Sequence, residues 1–155
     1  MKIIKATIND IAQIEKLLYQ VHKVHSDARP DLFIVDKKKY NKEELIKIIN
    51  NENTPIFVYK KENIIFGYAF IIYKIENADS LVKIKTMYVD DFCVDENYKH
   101  QGIGTKLFDF LKDEAKKQNC YNITLNVYNF NKAAKAFYEK QQLKELKTYM
   151  ELIVK

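Results

Sequence analysis

The sequence predicts an α/β chain built on a mixed, mostly antiparallel sheet of six or seven strands flanked by about four helices. Three observations carry this expectation. Apolar residues recur at helical spacing in four segments. Between those segments lie short runs rich in β-branched and aromatic residues. The resulting order is β-α-α-β-β-β-α-β-α-β. Strands joined by short turns pair antiparallel, and a strand–helix–strand crossover near the C-terminus adds a parallel pair. At 155 residues the chain has the size of one domain, taken as residues 1–155.

The elements follow in chain order. Residues 2–8 (KIIKATI) read as a strand. Asn9 or Asp10 caps a helix whose apolar stripe is Ile11, Ile14, Leu17, Leu18, Val21 and Val24, running to about His25. Pro30 breaks the segment that follows into a loop. Asn41 with Glu44 three residues on is a capping box, opening a short helix with Leu45, Ile48 and Ile49 inward. Pro55 begins a strand, KKEN turns the chain, and residues 64–75 return as the second arm of a hairpin. Residues 83–94 form another strand. A helix follows with Ile103, Leu107, Phe110, Leu111 and Ala115 at helical spacing, then a strand at 121–127 and a helix at 131–141. Residues 143–154 close the chain as one bent strand or two short ones.

Composition excludes several classes. Apolar residues make up 47 % and charged residues 30 %, the profile of a folded chain. No stretch is apolar for long enough to span a membrane, and the N-terminus lacks the apolar core of a signal peptide. The two cysteines, Cys93 and Cys120, form no CxxC pair. These features predict a soluble, cytoplasmic, reduced protein that does not engage membranes. The net charge of +5 invites a nucleic-acid reading. Arg29 is the sole arginine, however, and the lysines alternate with Glu and Asp, so no nucleic-acid partner is expected.

Glycine use is more informative. Of three glycines, two stand as Gly102-Ile103-Gly104, between a strand and a helix. A helix N-terminus presents unpaired N–H groups and a partial positive charge, and small residues there let a phosphate or pyrophosphate approach the backbone. Lys99 and Lys106 add charge nearby. The segment is neither a P-loop nor a dinucleotide fingerprint, since GxxxxGK[ST] is absent and Leu107 stands where a third glycine would be. On the helix after the next strand sit Asn131, Ala134, Phe137 and Tyr138.

Lys99-x-x-Gly102-x-Gly104, followed by helix, strand and Asn131-x-x-Ala134-x-x-Phe137-Tyr138, resembles the GNAT superfamily of acyl-CoA N-acyltransferases, best over residues 83–143. The resemblance implies that fold, an acetyl-CoA co-substrate, and an N-acetyltransferase acting on a primary amine of a small molecule. It implies that the fourth and fifth strands splay, with Phe92, Cys93 and Val94 offering backbone groups to the pantetheine arm. The pyrophosphate would be held by N–H groups of the turn formed by His100, Gln101, Gly102, Ile103, Gly104 and Thr105, with Lys99 beside it. Asn131, Ala134 and Phe137 would line the pantetheine region, and the Tyr138 hydroxyl would protonate the leaving thiolate. A strand N–H such as that of Val94 would stabilise charge on the carbonyl oxygen. Many relatives pair as homodimers.

The chain departs from the family pattern at several points. Lys99 replaces Gln or Arg, His100 replaces a common Gly, Asp95-Glu96 replaces x-Pro, and Gln142-Leu143 replaces Gly-Phe. Some protein N-terminal acetyltransferases of the family carry a Glu base on the fifth strand, where Asn126 stands here and cannot serve. Asp90 and Asp91 on the fourth strand are the candidate general bases, one of them aimed into the cleft by a bulge; a water chain is the other route. His25, Arg29 and Asp31 border the expected acceptor site. His22 and His25 lack a third ligand, so no metal is expected. Cys93 reads as a buried, inert thiol, which makes the transfer direct, with no acyl-enzyme. The rival readings are a protein lysine or N-terminal acetyltransferase and a non-catalytic acyl-CoA-binding domain.

Overall fold

The computed structural model describes residues 1–155. Strand β1 (Lys2–Lys5) leads through a short 3-10 turn into helix α1 (Ile11–Ala28). The Thr7 backbone N–H donates to the Asp10 carboxylate at 2.8 Å, and Asp10 also pairs with Lys60 at 2.8 Å, fixing the start of α1 on the sheet. The capping box at Asn41 and Glu44 is present in both directions and opens α2 (Lys42–Ile49).

Strands β2 (Ile56–Lys61) and β3 (Ile64–Ile75) form the hairpin, and β4 (Lys85–Val94) continues the antiparallel run. Helix α3 (Ile103–Lys117) carries the crossover to β5 (Asn122–Leu125), which pairs parallel with β4. Helix α4 is Lys132–Lys140. The sheet order is β1-β2-β3-β4-β5.

Two apolar layers sandwich this sheet. On one face Ile14, Leu17 and Leu18 of α1 and Leu45 of α2 pack on Val58, Tyr68 and Phe70. On the other, Leu107, Phe108 and Leu111 of α3 pack on Ala69, Met87 and Val89. Successive β2 residues serve opposite layers, Ile56 and Val58 one, Phe57 and Tyr59 the other, as a pleated strand covered on both sides requires. No helix is long and apolar enough to cross a membrane.

Two expectations need correction. The sheet has five strands, not six or seven, because residues 143–154 form no strand within the chain. Helix α1 also runs to Ala28 rather than His25: Pro30 lies beyond its end, and the Arg29 N–H closes the last turn on the His25 carbonyl at 2.8 Å.

The core and the turn chemistry yield separate tests. Leu107 is fully buried, so Leu107→Ala should lower the free energy of urea unfolding by about 3 kcal/mol. Gln142 follows α4 at φ 75°, a conformation that disfavours any side chain, so Gln142→Gly should raise stability by about 0.5–1 kcal/mol.

Candidate active site

Strand β4 has a β5 partner only from Thr86 to Val89. Beyond Val89 it continues to Val94 paired with β3 alone, so its far edge opens into a wedge between β4 and β5. Within that stretch the β3–β4 register slips: Ile71 faces Val89, Phe70 faces Asp91, and Asp90 is the extra residue of a bulge. This is the bulge expected at the Asp pair.

The bulge gives the two carboxylates different surroundings. Asp90 accepts a hydrogen bond from the Tyr40 hydroxyl and an ion pair from Lys39 at 3.2 Å, and Lys39 also donates to the Asp90 carbonyl at 2.8 Å. Asp91 lies against the apolar layer under α1. It accepts from the Tyr68 hydroxyl at 3.2 Å and from the Phe92 N–H at 2.9 Å. Burial pushes the Asp91 carboxyl up to about 6, against the pull of Lys39 and of the Tyr68 and Phe92 hydrogen bonds. Asp90 is thus held by a cation, whereas Asp91 sits where a carboxylate can take up a proton near neutrality.

Backbone donors follow from the ladder. The Asp95 N–H bonds the Phe66 carbonyl at 2.8 Å, so by alternation the N–H groups of Val94 and Phe92 point away from β3, towards the wedge. Asp91 takes that of Phe92, which leaves the Val94 N–H facing the open edge. Cys93 is buried on the α1 side, its Sγ 3.9 Å from the Leu17 carbonyl. Burial and then Asp91 push its thiol up, away from thiolate chemistry.

Across the wedge, Tyr138 belongs to an aromatic group with Phe92, Phe108 and Phe137, at centroid distances of 5.5–6.2 Å. Burial first, then the neighbouring Asp91 and Cys93, push its hydroxyl up, so it stays protonated through the neutral range. Phe137 stacks on Phe92 at 5.6 Å. Asn131 caps α4 by accepting from the Ala134 N–H at 3.2 Å, which leaves the Asn131 amide NH2 free.

The glycine turn has the geometry of an anion cradle. Gly102 is the N-cap of α3 at φ 78°, and a Cβ there would meet nothing within 4 Å. Lys106 N–H is bonded to the Gly102 carbonyl at 3.1 Å, and the preceding N–H groups of Ile103, Gly104 and Thr105 are those that a helix leaves without intrahelical acceptors. Lys99, His100, Gln101 and Thr105 are exposed around it. Gly104 does a different job: a Cβ there would lie 3.1 Å from the Phe137 ring and 3.5 Å from Val94, so it lets α3 approach α4 and β4 closely.

The acceptor-side residues divide. His25 stacks on Phe33 at 5.0 Å and contacts Tyr128 and Phe130, forming an aromatic corner; burial, then His22 and Lys39, lower its pKa. Arg29 and Asp31 bind each other through two hydrogen bonds, of 2.9 and 2.8 Å, and Arg29 also grips Glu151. Asn126 donates to the Tyr88 hydroxyl at 3.1 Å. No three His, Cys, Asp or Glu side chains gather as a metal site.

Several residues that build the site carry no local signal in the sequence. Tyr40, Tyr68 and Lys39 surround the Asp pair from other elements. Gln20 of α1 donates to buried Asp95 at 3.2 Å and accepts from the Glu96 N–H at 3.1 Å, pinning the turn that leads to Gly102. The Asp95-x-Asn97 spacing, an Asx turn with the Asn97 N–H donating at 3.0 Å, was readable.

The raised Asp91 pKa sets a stability test. Between about pH 4 and 6 the native state holds a proton that the unfolded chain has lost, so this group lowers stability as pH rises through that window. Asp91→Asn should therefore raise unfolding stability at pH 7.5 by on the order of 1 kcal/mol and change it less at pH 3.5, measured by urea titration at both pH values.

Comparison with known proteins supports the same architecture. The model of the Acetyltransferase (GNAT) family matches residues 18–142. A mutant of the BH1408 protein from Bacillus halodurans, a solved structure, is 31 % identical and overlays with a TM-score of 0.95 over 99 % of both chains. An aminoglycoside acetyltransferase from an uncultured soil metagenomic sample shares 20 % identity at a TM-score of 0.71, over 99 % of this chain and 96 % of that one. Glucosamine-6-phosphate N-acetyltransferase from Arabidopsis thaliana shares 21 % at 0.71, over 99 % and 98 %. No curated protein sequence matches. On its family match, its splayed β4–β5 pair and its glycine turn, the chain belongs to the GNAT acetyltransferase family.

Proposed function

We propose that this protein transfers the acetyl group of acetyl-CoA directly to the primary amine of a small molecule. The observation that carries the reading is the grouping, at one end of the wedge, of a carboxyl poised near pH 6, an outward strand N–H and a protonated tyrosine. Acetyl-CoA, when bound, supplies an activated thioester carbonyl.

The chain's own residues then have separable jobs. The turn at Gly102 has room for a pyrophosphate, where the N–H groups that open α3 and the Lys99 ammonium offset its charge. The open edge of β4 offers the pantetheine amides a strand-like partner, and the free Asn131 amide adds a donor. Asp91, as carboxylate, accepts the proton that an incoming ammonium must lose before it can attack. The Val94 N–H, free on the open edge of β4, would stabilise the charge that grows on the carbonyl oxygen. The Tyr138 hydroxyl donates its proton to the departing thiolate. Cys93 takes no part, which makes the transfer direct.

A small acceptor is favoured over a peptide by the acceptor side itself. His25, Phe33, Tyr128 and Phe130 form an aromatic corner, and the Lys39–Tyr40 segment is tied across β4 through Asp90. An aromatic wall suits a compact ammonium. The lowered pKa of His25 leaves it uncharged at neutral pH, so it does not repel such a cation.

Calorimetric titration with acetyl-CoA, followed by thiol release against a panel of small amines and peptides, tests the reading. Micromolar affinity and turnover with a small amine are expected. Absence of binding defeats it, and turnover on peptides alone replaces it with the protein-acetylating alternative. Gly102→Val should weaken acetyl-CoA at least tenfold. Asp91→Asn should leave that affinity in place, lower kcat/KM at least a hundredfold, and remove the acidic limb that kcat/KM shows below about pH 6 in the parent.

A further inference from the structure

Residues 95–101 carry the chain from the end of β4 into the glycine turn. The second half of this stretch has little to hold it. None of the loop backbone hydrogen bonds involves Lys99, His100 or Gln101, and His100 holds φ 64°, a conformation that strains a side chain. The first half is held from two sides. On the β3 side, the Asp95 N–H donates to the Phe66 carbonyl at 2.8 Å, and the Tyr98 ring meets the Phe66 ring edge-on, 4.5 Å between centroids. On the α1 side stands Gln20. Its amide NH2 donates to the Asp95 carboxylate at 3.2 Å, and its amide oxygen accepts from the Glu96 N–H at 3.1 Å.

This contact fixes a direction as well as a point. Gln20 reaches two successive residues, one through its side chain and one through its backbone. Asp95 is buried and takes its hydrogen bonds from amides, those of Gln20 and of the Asn97 backbone and side chain, the last two at 3.0 and 3.2 Å. A buried carboxylate needs its donors, so Asp95 holds Gln20 as firmly as Gln20 holds Asp95. The backbone so held has φ −54° and ψ 131° at Asp95, and Glu96 opens a 3-10 turn. A proline at position 96 would impose the same course. The residue before a proline is pressed to ψ of about 120–160°, and the first residue of a helical turn accepts the fixed φ and the missing N–H of proline. The bond that proline would forfeit at position 96 is the one to Gln20.

We propose that Gln20 is a positioning residue for the co-substrate: its two hydrogen bonds set the exit from β4 and thereby hold Lys99, His100, Gln101 and the Gly102 turn in the shape offered to a pyrophosphate. The proposal rests on the reading of that turn as the acetyl-CoA site. Gln20 does by hydrogen bonding what a proline at position 96 would do covalently, so the two are exchangeable. Preorganisation of this kind acts on binding and leaves the transfer step alone.

Backbone nitrogen NMR relaxation of the ligand-free protein, with acetyl-CoA calorimetry and steady-state kinetics, tests this on the parent, on Gln20→Leu, and on Gln20→Leu combined with Glu96→Pro. Gln20→Leu should mobilise the amides of residues 97–102 while those of the sheet stay rigid. It should weaken acetyl-CoA by about five- to tenfold, raise its KM to match, and leave kcat within about twofold. Adding Glu96→Pro should return both the rigidity and the affinity, although neither hydrogen bond is restored. A merely structural role would lower unfolding stability without moving the relaxation of the turn or the affinity, and that result would overturn the proposal. So would a turn that stays mobile after Glu96→Pro is added. A parent that binds no acetyl-CoA would defeat the functional reading instead, and relaxation of the three proteins would still decide whether Gln20 holds the turn.

Discussion

Strand β4 changes the face its side chains occupy halfway along, and the candidate active site depends on that change. Met87 and Val89 point into the layer under α3. After the extra residue at Asp90, it is Phe92 and Val94 that lean on that layer, while Cys93 joins the layer under α1. In a regular strand the odd-numbered residues would keep one face throughout, and Asp91 would be driven among the apolar side chains of α3. The bulge instead sets its carboxyl against the Tyr68 hydroxyl and the Phe92 N–H, where burial pushes its pKa up to about 6. The loss of the β5 partner beyond Val89 is the second half of the same arrangement, because it frees the Val94 N–H.

Electrostatics around this strand is graded rather than uniform. Lys39 neutralises Asp90 directly and pulls on Asp91 and His25 from further away. One lysine thus pairs with the first carboxylate, moderates the rise of the second and lowers the pKa of the imidazole. The net positive charge of the chain therefore says little about this end of the sheet, where aromatic rings gather around His25 and the carboxylate of Asp90 meets Lys39.

Much of this was legible in the sequence, wherever the signal was local. The Asn41–Glu44 box, the α1 stripe and the glycine turn each depend on residues within a few positions of one another. The departures from the family pattern were informative too: His100 and Gln142, which stand where that pattern has glycine, both adopt positive φ, so the chain bears the strain of a side chain there. The partners of the Asp pair were not legible, since Tyr40 lies 50 residues and Tyr68 lies 23 residues away. Nor could alternation alone separate Asp90 from Asp91, because the bulge that distinguishes them is a matter of register. The C-terminal strand was misjudged for a related reason. Its composition suits a strand, but a strand also needs an edge to pair with, and composition does not show that this segment finds none in its own sheet.

The central claim is that the bulge gives Asp91 a carboxyl that titrates near neutrality, and side-chain carbon NMR of the ligand-free protein tests it most directly. With the Asp91 Cγ resonance assigned by comparison with Asp91→Asn, the account predicts a titration midpoint at about 6, well separated from ordinary surface carboxylates. A midpoint near the usual aspartate value of about 3.9 would mean that the carboxyl is solvated. It would contradict the assignment of Asp91 as the proton acceptor.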